Sequence, residues 1–584
     1  MASTEVAQVA GPAALRGQTD LGSRRNGRAG PGSDSLGILS LGRAVPGHWL
    51  LPFLIAVAVA LFSESAYLLA ERSAAGRGIF AGQIWAPHDV AQYIAAMNDG
   101  ARGEFLIRDR LTSEAHAPAF IYGYYVLLGM LWHALGIDAQ SGYRLAGLAG
   151  RVFVLLAVYR ATSMISPAPW RRQVAFGLTI FGGGLISLVT LLQIVTGLEF
   201  GLSGRDLEEP EFGTFILMFA SPHLMFGLGL MLLATHAYAR ACRSHHVSDG
   251  MLAAVLTFAV GIVNSYSLAT VCTVVSVHAV AMTVLSRRLV WRGLVAAALV
   301  NVATVPILGY GVLTFVLGTD PFWGVAYGRQ NVTPTPTVAN VLVSFGLAIT
   351  GLCAFGRRLT SGRVLVLVWI VTMALLMYLP VGVQRRFAFG LQPMLAFVAA
   401  FGPPPVWRFV SAYRPRPWTM LRPIMLLLLF QALAGSPLVL GAVAVSQALD
   451  AGTPGRVLVR PDFYPASLEP AATWLAERIG SDDVVLAKPT TGNYLLREII
   501  GRVYVGHWSA TVEYERKRDE TSWFFAGPLD ESRRQFVADR QVRYVVAGPI
   551  ERADSDWSRS AEDAAWLSRV YEADGVAIFA VTEP

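Results

Sequence analysis

Roughly eleven apolar runs, each close to the 20 residues that an α-helix needs to cross a bilayer, dominate this chain. They are Trp49–Ala70, Tyr143–Thr162, Gln173–Gly197, Pro222–Tyr238, Met251–Val263, Ser267–Leu285, Gly293–Gly318, Val338–Phe355, Val364–Val381, Phe387–Phe401 and Pro423–Val445. In hydrocarbon, each backbone polar group must be satisfied within the protein, so runs of this kind fold as membrane-spanning helices. Charged residues make up 15% of the 584, against about 25% in a soluble chain. The expectation is an α-helical polytopic membrane protein.

The net charge of +7 does not point to nucleic acid. The arginines fall in short clusters between apolar runs, the usual orientation signal of a membrane protein. Arg160/Arg171/Arg172, Arg240/Arg243, Arg287/Arg288/Arg292, Arg357/Arg358/Arg363 and Arg408/Arg414/Arg416 share one side with the arginines of the N-terminal tail. That side is the cytoplasm under the positive-inside rule. The scheme requires Ala119–Gly136 to lie in the interface rather than cross, as its Tyr122, Tyr124, Tyr125, Trp132 and His133 suit. Residues 1–47 then form a disordered cytoplasmic tail without the features of a signal peptide. Residues 48–446 form the membrane domain, with outer loops at 71–142, 198–221 and 318–337. Residues 447–584 form an extracytoplasmic domain, and the expected location is the plasma (inner) membrane. All three cysteines, Cys242, Cys272 and Cys353, lie in or beside apolar runs, so that domain has no disulfide framework.

The outer loops hold the candidate chemistry. Asp89 follows the first span after Pro87 and His88, and Val90, Tyr93, Ile94 and Met97 recur behind it at helical spacing. Asp89 is either the cap of that helix or a general base. The second outer loop groups Asp206, Glu208, Glu209 and Glu211 ahead of Ser221-Pro222-His223. Two carboxylate-bearing loops meeting at one membrane surface can supply a base and a ligand for a divalent metal. The histidines are scattered, however, without an HxxxH or HxH pattern, and no cofactor is assigned.

Arg151 lies inside a span, two turns below Arg144 on the same face; intramembrane arginine is expensive and marks either function or a buried partner. Gln384-Arg385-Arg386 sits in a short outer loop, against the charge rule. Its arginines either touch lipid headgroups or clamp a phosphate, whose oxygens match guanidinium forks.

These residues carry a resemblance to the GT-C membrane glycosyltransferases, the superfamily of protein O-mannosyltransferases, aminoarabinose transferases and oligosaccharyltransferase catalytic subunits. The similar features are His88-Asp89 with Tyr93, the interfacial helix of the same loop and the Tyr143-Arg144-Leu145 opening of the next span. Pro210-Glu211 to Pro222-His223, Leu379-Pro380 with Gln384-Arg385-Arg386-Phe387, and the outer domain also fit. Uncharacterised bacterial members share Gly492-Asn493-Tyr494, Val505-Gly506-His507-Trp508 and Glu515-Arg516-Lys517-Arg518. The chain departs at Asn264-Ser265-Tyr266, where relatives often have His-Pro-Tyr.

The resemblance implies transfer of a sugar from a polyprenyl-phosphate carrier to an extracytoplasmic glycan, lipid or protein. Asp89 is then the first-loop acid, and Arg385 and Arg386 face the carrier phosphate. Glu211 joins Asp89 as a catalytic candidate. His88, Tyr93, Arg144, Arg151, His223, Gln384, Arg385 and Arg386 are the substrate-binding candidates.

In the C-terminal domain, Val484–Ala487, Val503–Val505, Tyr544–Ala547 and Val576–Val581 read as strands. Pro470–Ile479, Tyr514–Phe525 and Glu531–Asp539 read as helices, which together make a small α/β fold. Gly492-Asn493-Tyr494 and Gly506-His507-Trp508 fall in loops after strands, where either ligand binding or turn chemistry would put them. No GxGxxG or GxxxxGKS/T motif supports nucleotide binding. The alternative function is a transporter or flippase of a lipid-linked or anionic substrate. Arg151 favours it; the acids in outer loops and the lack of an internal repeat do not.

Overall fold

The computed structural model describes residues 47–582 apart from several stretches, chiefly 185–188, 203–208, 329–331, 403–434 and 450–461. The tail, Asp206, Glu208, Arg408, Arg414 and Arg416 lie outside the described residues, as do parts of the expected spans Gln173–Gly197 and Pro423–Val445.

Five described helices are long and apolar enough to cross a membrane: Leu50–Ala74 (α1), the Ala139–Met164 segment, Pro222–Ala241, Tyr266–Ser286 and Trp291–Val316. Shorter apolar helices cover Val247–Val263, Ser361–Leu376 and Pro437–Gln447. The protein is a multipass, mainly helical membrane protein. Two expected spans are more broken than their apolar runs suggest. Val338–Phe355 appears as helices Val338–Phe345 and Ile349–Gly356. Phe387–Phe401 starts in a 3₁₀ turn, Gln384–Ala388, and becomes α-helical only over Leu391–Ala399. Gly390, at φ 95°, makes the break between them.

The segment between the first two spans forms two helices of its own. Asp89–Ala101 (α2) buries Val90, Tyr93, Ile94 and Met97, the face its periodicity predicts. Gly123–Ala134 (α3) has 12 residues, about 18 Å of helix, well short of a bilayer core of about 30 Å. It lies against α2 with the backbones nearly touching. A Cβ on Gly100 would come within 2.1 Å of the Val126 carbonyl oxygen, and one on Gly129 within 2.0 Å of that of Met97. The next span, Ala139–Ala161 (α4), is capped by Asp138, whose carboxylate accepts from the Ser141 amide.

The C-terminal region contains a five-stranded mixed sheet in the order β4-β3-β5-β7-β6. The strands are Val484–Leu486 (β3), Arg502–Val503 (β4), Val542–Ala547 (β5), Leu567–Ala573 (β6) and Val576–Val581 (β7). Helices Leu468–Ala476, Tyr514–Ala526 and Glu531–Asp539 form close to the expected positions. One expectation is corrected: Gly492-Asn493-Tyr494 lies on a helix, Pro489–Leu495, rather than in a loop. Pro489 at its first turn, behind extended Lys488, is the usual way to start one.

Two further strands were not expected. Gly78–Phe80 (β1) pairs antiparallel with Phe463–Pro465 (β2), and the Ala81 amide continues the ladder to the Asp462 carbonyl at 2.8 Å. The segment after the first span is thus stitched to the C-terminal region. The two also share a core, in which Ala95 and Leu111 pack with Leu468, Val485, Val503 and Ile578.

Candidate active site

The site begins at the turn that delivers Asp89. Ala86 adopts φ 50°, uncommon for a residue with a side chain, and Gln83 holds the turn from inside. Its Nε2 donates to the Ala86 carbonyl at 2.6 Å, while its Oε1 accepts from the Tyr143 hydroxyl at 2.6 Å and the Ser221 hydroxyl at 3.3 Å. One amide thereby ties the turn to α4 and to the mouth of the Pro222–Ala241 helix.

Asp89 is the first residue of α2 rather than its cap, a position held by His88. Its carboxylate reaches across to the C-terminal region, where Oδ1 lies 2.7 Å from Nε2 of His507. His507 is buried, whereas the Asp89 side chain keeps 29% of its surface exposed. Burial opposes ionisation of Asp89. The His507 hydrogen bond, then Arg386 and His223, outweigh it and hold the carboxyl below its usual range. His88 is pushed down to about 4, mainly by burial and by His507, against the pull of Asp89.

Behind Asp89 lies a wall of rings. Tyr93 stacks on Tyr125 at 4.2 Å and lies parallel to Tyr143 at 6.5 Å. The Tyr125 hydroxyl meets Nδ1 of His223 at 2.8 Å, and the His223 ring stands edge-on to Tyr93 at 5.2 Å. Tyr93 is buried, which with the nearby Asp89 carboxylate pushes its phenol well above the ordinary value.

A loosely neutralised group of charges faces this wall. Arg385 Nη1 contacts Glu209 at 2.5 Å, but Arg385 Nε and Arg386 Nη1 approach Glu211 Oε1 only to 3.7 Å. Glu211 is buried, and among the described residues its Oε2 has no hydrogen-bond partner; neither do Nε of Arg385 and Nε of Arg386. The Arg386 side chain is 32% exposed, with the Tyr266 ring 5.8 Å below its guanidinium. Burial works against its charge, but Glu211, Tyr266, Tyr93 and Asp89 raise its pKa further. Asp89 and Glu211 are therefore linked through one arginine. Gln384 instead shapes the loop, donating to the Leu379 carbonyl at 2.6 Å and accepting from the Thr335 amide at 3.4 Å.

Arg144 and Arg151 belong to a different group. Both reach Glu64 of α1, at 2.5 and 2.9 Å, and Arg144 also takes Glu71 at 2.5 Å. Arg151 adds the Met218 carbonyl at 2.8 Å and lies over the Tyr67 ring at 4.9 Å. Each pair is seven residues apart on its own helix, about 10 Å of rise on one face, so two antiparallel helices lock through a four-membered ladder. A small cavity is lined by Glu64, Arg144 and Arg151 of the ladder together with Gln83 and Tyr143.

The sequence reading missed three of these partners. Glu64 stood in plain view as an acid within an apolar run, where ionisable residues call for a named partner. His507 lay in the Gly506-His507-Trp508 motif after a strand, but nothing local ties it to Asp89, 418 positions away. Gln83 carried no signal. Among the described residues, Oδ1 of Asp89 is taken by His507 and Glu211 faces arginines, while Asp206 and Glu208 of the same acidic loop lie outside them. Among the described residues, no group of three or more His, Cys, Asp or Glu could hold an ion.

No family model and no curated protein matches the sequence. Solved structures do match. Arabinofuranosyltransferase AftD from Mycobacteria aligns with 93% of this chain and 40% of its own, at 16% identity and a TM-score of 0.51. Oligosaccharyltransferase AglB from Archaeoglobus fulgidus, in complex with an inhibitory peptide and a dolichol-phosphate, aligns with 92% of this chain and 74% of its own, at 14% identity and 0.49. ArnT from Cupriavidus metallidurans, bound to undecaprenyl phosphate, aligns with 90% and 99%, at 13% identity and 0.47. This chain spans about two fifths of the length of AftD. At such identities a likeness speaks for architecture alone, and the architecture is the one this chain shares with AftD.

Proposed function

We propose that the protein is a glycosyltransferase that moves a sugar from a polyprenyl-phosphate carrier to an acceptor hydroxyl on the extracytoplasmic side. The observation that carries this reading is a partly exposed carboxylate, Asp89, within the electrostatic reach of Arg386, whose own partner Glu211 stays 3.7 Å away. In the reaction the acceptor oxygen attacks the anomeric carbon. A glycosidic bond forms, the bond from that carbon to the carrier phosphate breaks, and the hydroxyl proton passes to Asp89. With Oδ1 held by His507, Oδ2 is the oxygen that meets the acceptor. The departing phosphate gains charge, which Arg386 and Arg385 stabilise. Glu211 orients the two guanidiniums rather than taking a proton, because it is buried between them. The rings of Tyr93 and Tyr125 offer apolar faces to the sugar.

The transport alternative leaned on Arg151, and that guanidinium is already committed to Glu64 and Met218. The transferase reading is tested by turnover of the purified chain in liposomes with a panel of synthetic polyprenyl-phosphate pentoses and hexoses. Asp89→Asn keeps size and polarity but removes basicity, so turnover should fall about 10²- to 10⁴-fold with an unchanged thermal midpoint. Full turnover in that variant refutes the assignment. In the orientation proposed here, a single cysteine at Leu289 labels from the cytoplasm and one at Glu531 from outside. Labelling of both from the same side overturns it.

A further inference from the structure

We infer that His507 is a positioning residue, through which the C-terminal region sets the orientation and charge state of the Asp89 carboxylate. The ring is buried and makes two kinds of contact. Nδ1 receives the backbone amide of Ser509 at 3.1 Å and lies 2.9 Å from the Ser509 hydroxyl. A backbone N–H can only donate, so Nδ1 offers its lone pair and the ring proton sits on Nε2. That proton points at Oδ1 of Asp89, 2.7 Å away. The turn at Ser509 therefore fixes the tautomer, and the tautomer fixes the direction of the bond to the carboxylate.

The loop that carries His507 is held against the segment carrying Asp89. Gly506 donates to the Thr511 hydroxyl at 3.0 Å, and that hydroxyl donates to the Leu111 carbonyl at 2.7 Å. Thr112 and Val505 form an isolated antiparallel bridge. A Cβ at position 506 would lie 2.5 Å from Leu111 Cδ2, so the loop and the Leu111 segment are in close contact there. The groups electrostatically coupled to Asp89 are His507, Arg386, His223, His88, Tyr93 and Tyr143. Of these, His507 alone is hydrogen-bonded to it among the described residues, and it is the largest influence that favours the carboxylate over the protonated acid. Without it, burial prevails and the carboxyl takes up its proton at a higher pH.

This inference rests on the proposed role of Asp89 as base, and the test separates the two. The comparison is His507→Gln against His507→Asn in the full chain. Both side chains are amides, but only Gln places an N–H about where Nε2 stands; Asn ends near Nδ1. The Asp89 pKa is read first, without substrate, as the pH-dependent carboxyl infrared band that disappears in Asp89→Asn. It should rise in His507→Asn and stay near the native value in His507→Gln. The native chain, whose carboxyl sits low, loses turnover only as pH falls through that low value. The acidic limb of kcat/KM should accordingly move to higher pH, in step with the infrared band, in His507→Asn. With whichever carrier-linked sugar from the panel is turned over, kcat should drop about 10²-fold in His507→Asn, with donor KM little changed, and recover in His507→Gln. An Asp89 band that titrates alike in both variants and the native chain overturns the positioning role, whatever the protein catalyses. An active Asp89→Asn variant overturns the catalytic reading while leaving the infrared result to stand.

Discussion

Two arginine pairs in this molecule look alike in sequence and differ in how they are neutralised. Arg144 and Arg151 share Glu64, and Arg144 adds Glu71, so two cations face two anions at 2.5 to 2.9 Å. Arg151 is 2% exposed and its Nε is bonded to the Met218 carbonyl. Arg385 and Arg386 face Glu209 and Glu211, also two against two. Yet both contacts to Glu211 stretch to 3.7 Å, and among the described residues Oε2 of Glu211 and Nε of both arginines have no hydrogen-bond partner. A satisfied guanidinium has nothing left for a ligand. One held at arm's length keeps its donors for an anion that arrives. The sharpest contrast in exposure is between Arg386, which reaches solvent, and Arg151, which does not; Arg144 and Arg385 are alike in this respect.

The sharpest way to break the comparison is to cut the ladder. Arg151→Ala leaves Glu64 with a buried, half-neutralised charge, which should cost about 3–5 kcal/mol of stability. The readout is a large fall in the thermal midpoint of the detergent-solubilised protein, with turnover per folded molecule retained. Pairing it with Glu64→Leu removes both charges and should restore much of the midpoint. If Arg151→Ala instead melts normally but no longer uses donor, the ladder belongs to the substrate site and the two pairs do not differ.

Next comes the loose pair. Arg386→Ala should leave the midpoint nearly unchanged and lower kcat/KM for donor by about 10- to 100-fold, the loss of one charged hydrogen-bonding group worth about 1.5–3 kcal/mol. Arg386→Lys should restore part of it, because an ammonium keeps the charge but not the fork. Normal donor use in an Arg385→Ala/Arg386→Ala protein would leave these arginines as lipid-headgroup contacts. The smallest effect is expected for Arg144→Ala. Its second partner, Glu71, is nearer the surface, and Arg151 still serves Glu64, so the midpoint should drop by less than half the Arg151→Ala change.

The same pairs show what could be read without a structure. The spacing of Arg144 and Arg151 placed them on one helix face, and their position within an apolar run required a partner or a function. Choosing between those depended on Glu64, whose helix is joined to theirs only by packing. Asp89 was legible as an acid at the start of a helix because Val90, Tyr93, Ile94 and Met97 carry a local 3.6-residue period. That its carboxylate would meet His507 was not legible, because His507 lies far along the chain. Strand β6 escaped notice because LSRVYEA is an edge strand with mostly exposed side chains. Strands β1 and β2 escaped because each of their 3-residue segments pairs with the other across the whole membrane region.

What the sequence determined by itself is whatever a single helix or strand can encode. That covers apolar runs too long for anything but a membrane, the helical face behind Asp89, and the alternation of strands and helices at the C-terminal end. Tertiary structure alone decided which charges neutralise one another, which tautomer His507 adopts and which carboxylate it holds. Periodicity is written in neighbouring residues. The field at a carboxylate or a guanidinium depends on every group that folding brings within a few ångströms, and those groups come from any distance along the chain.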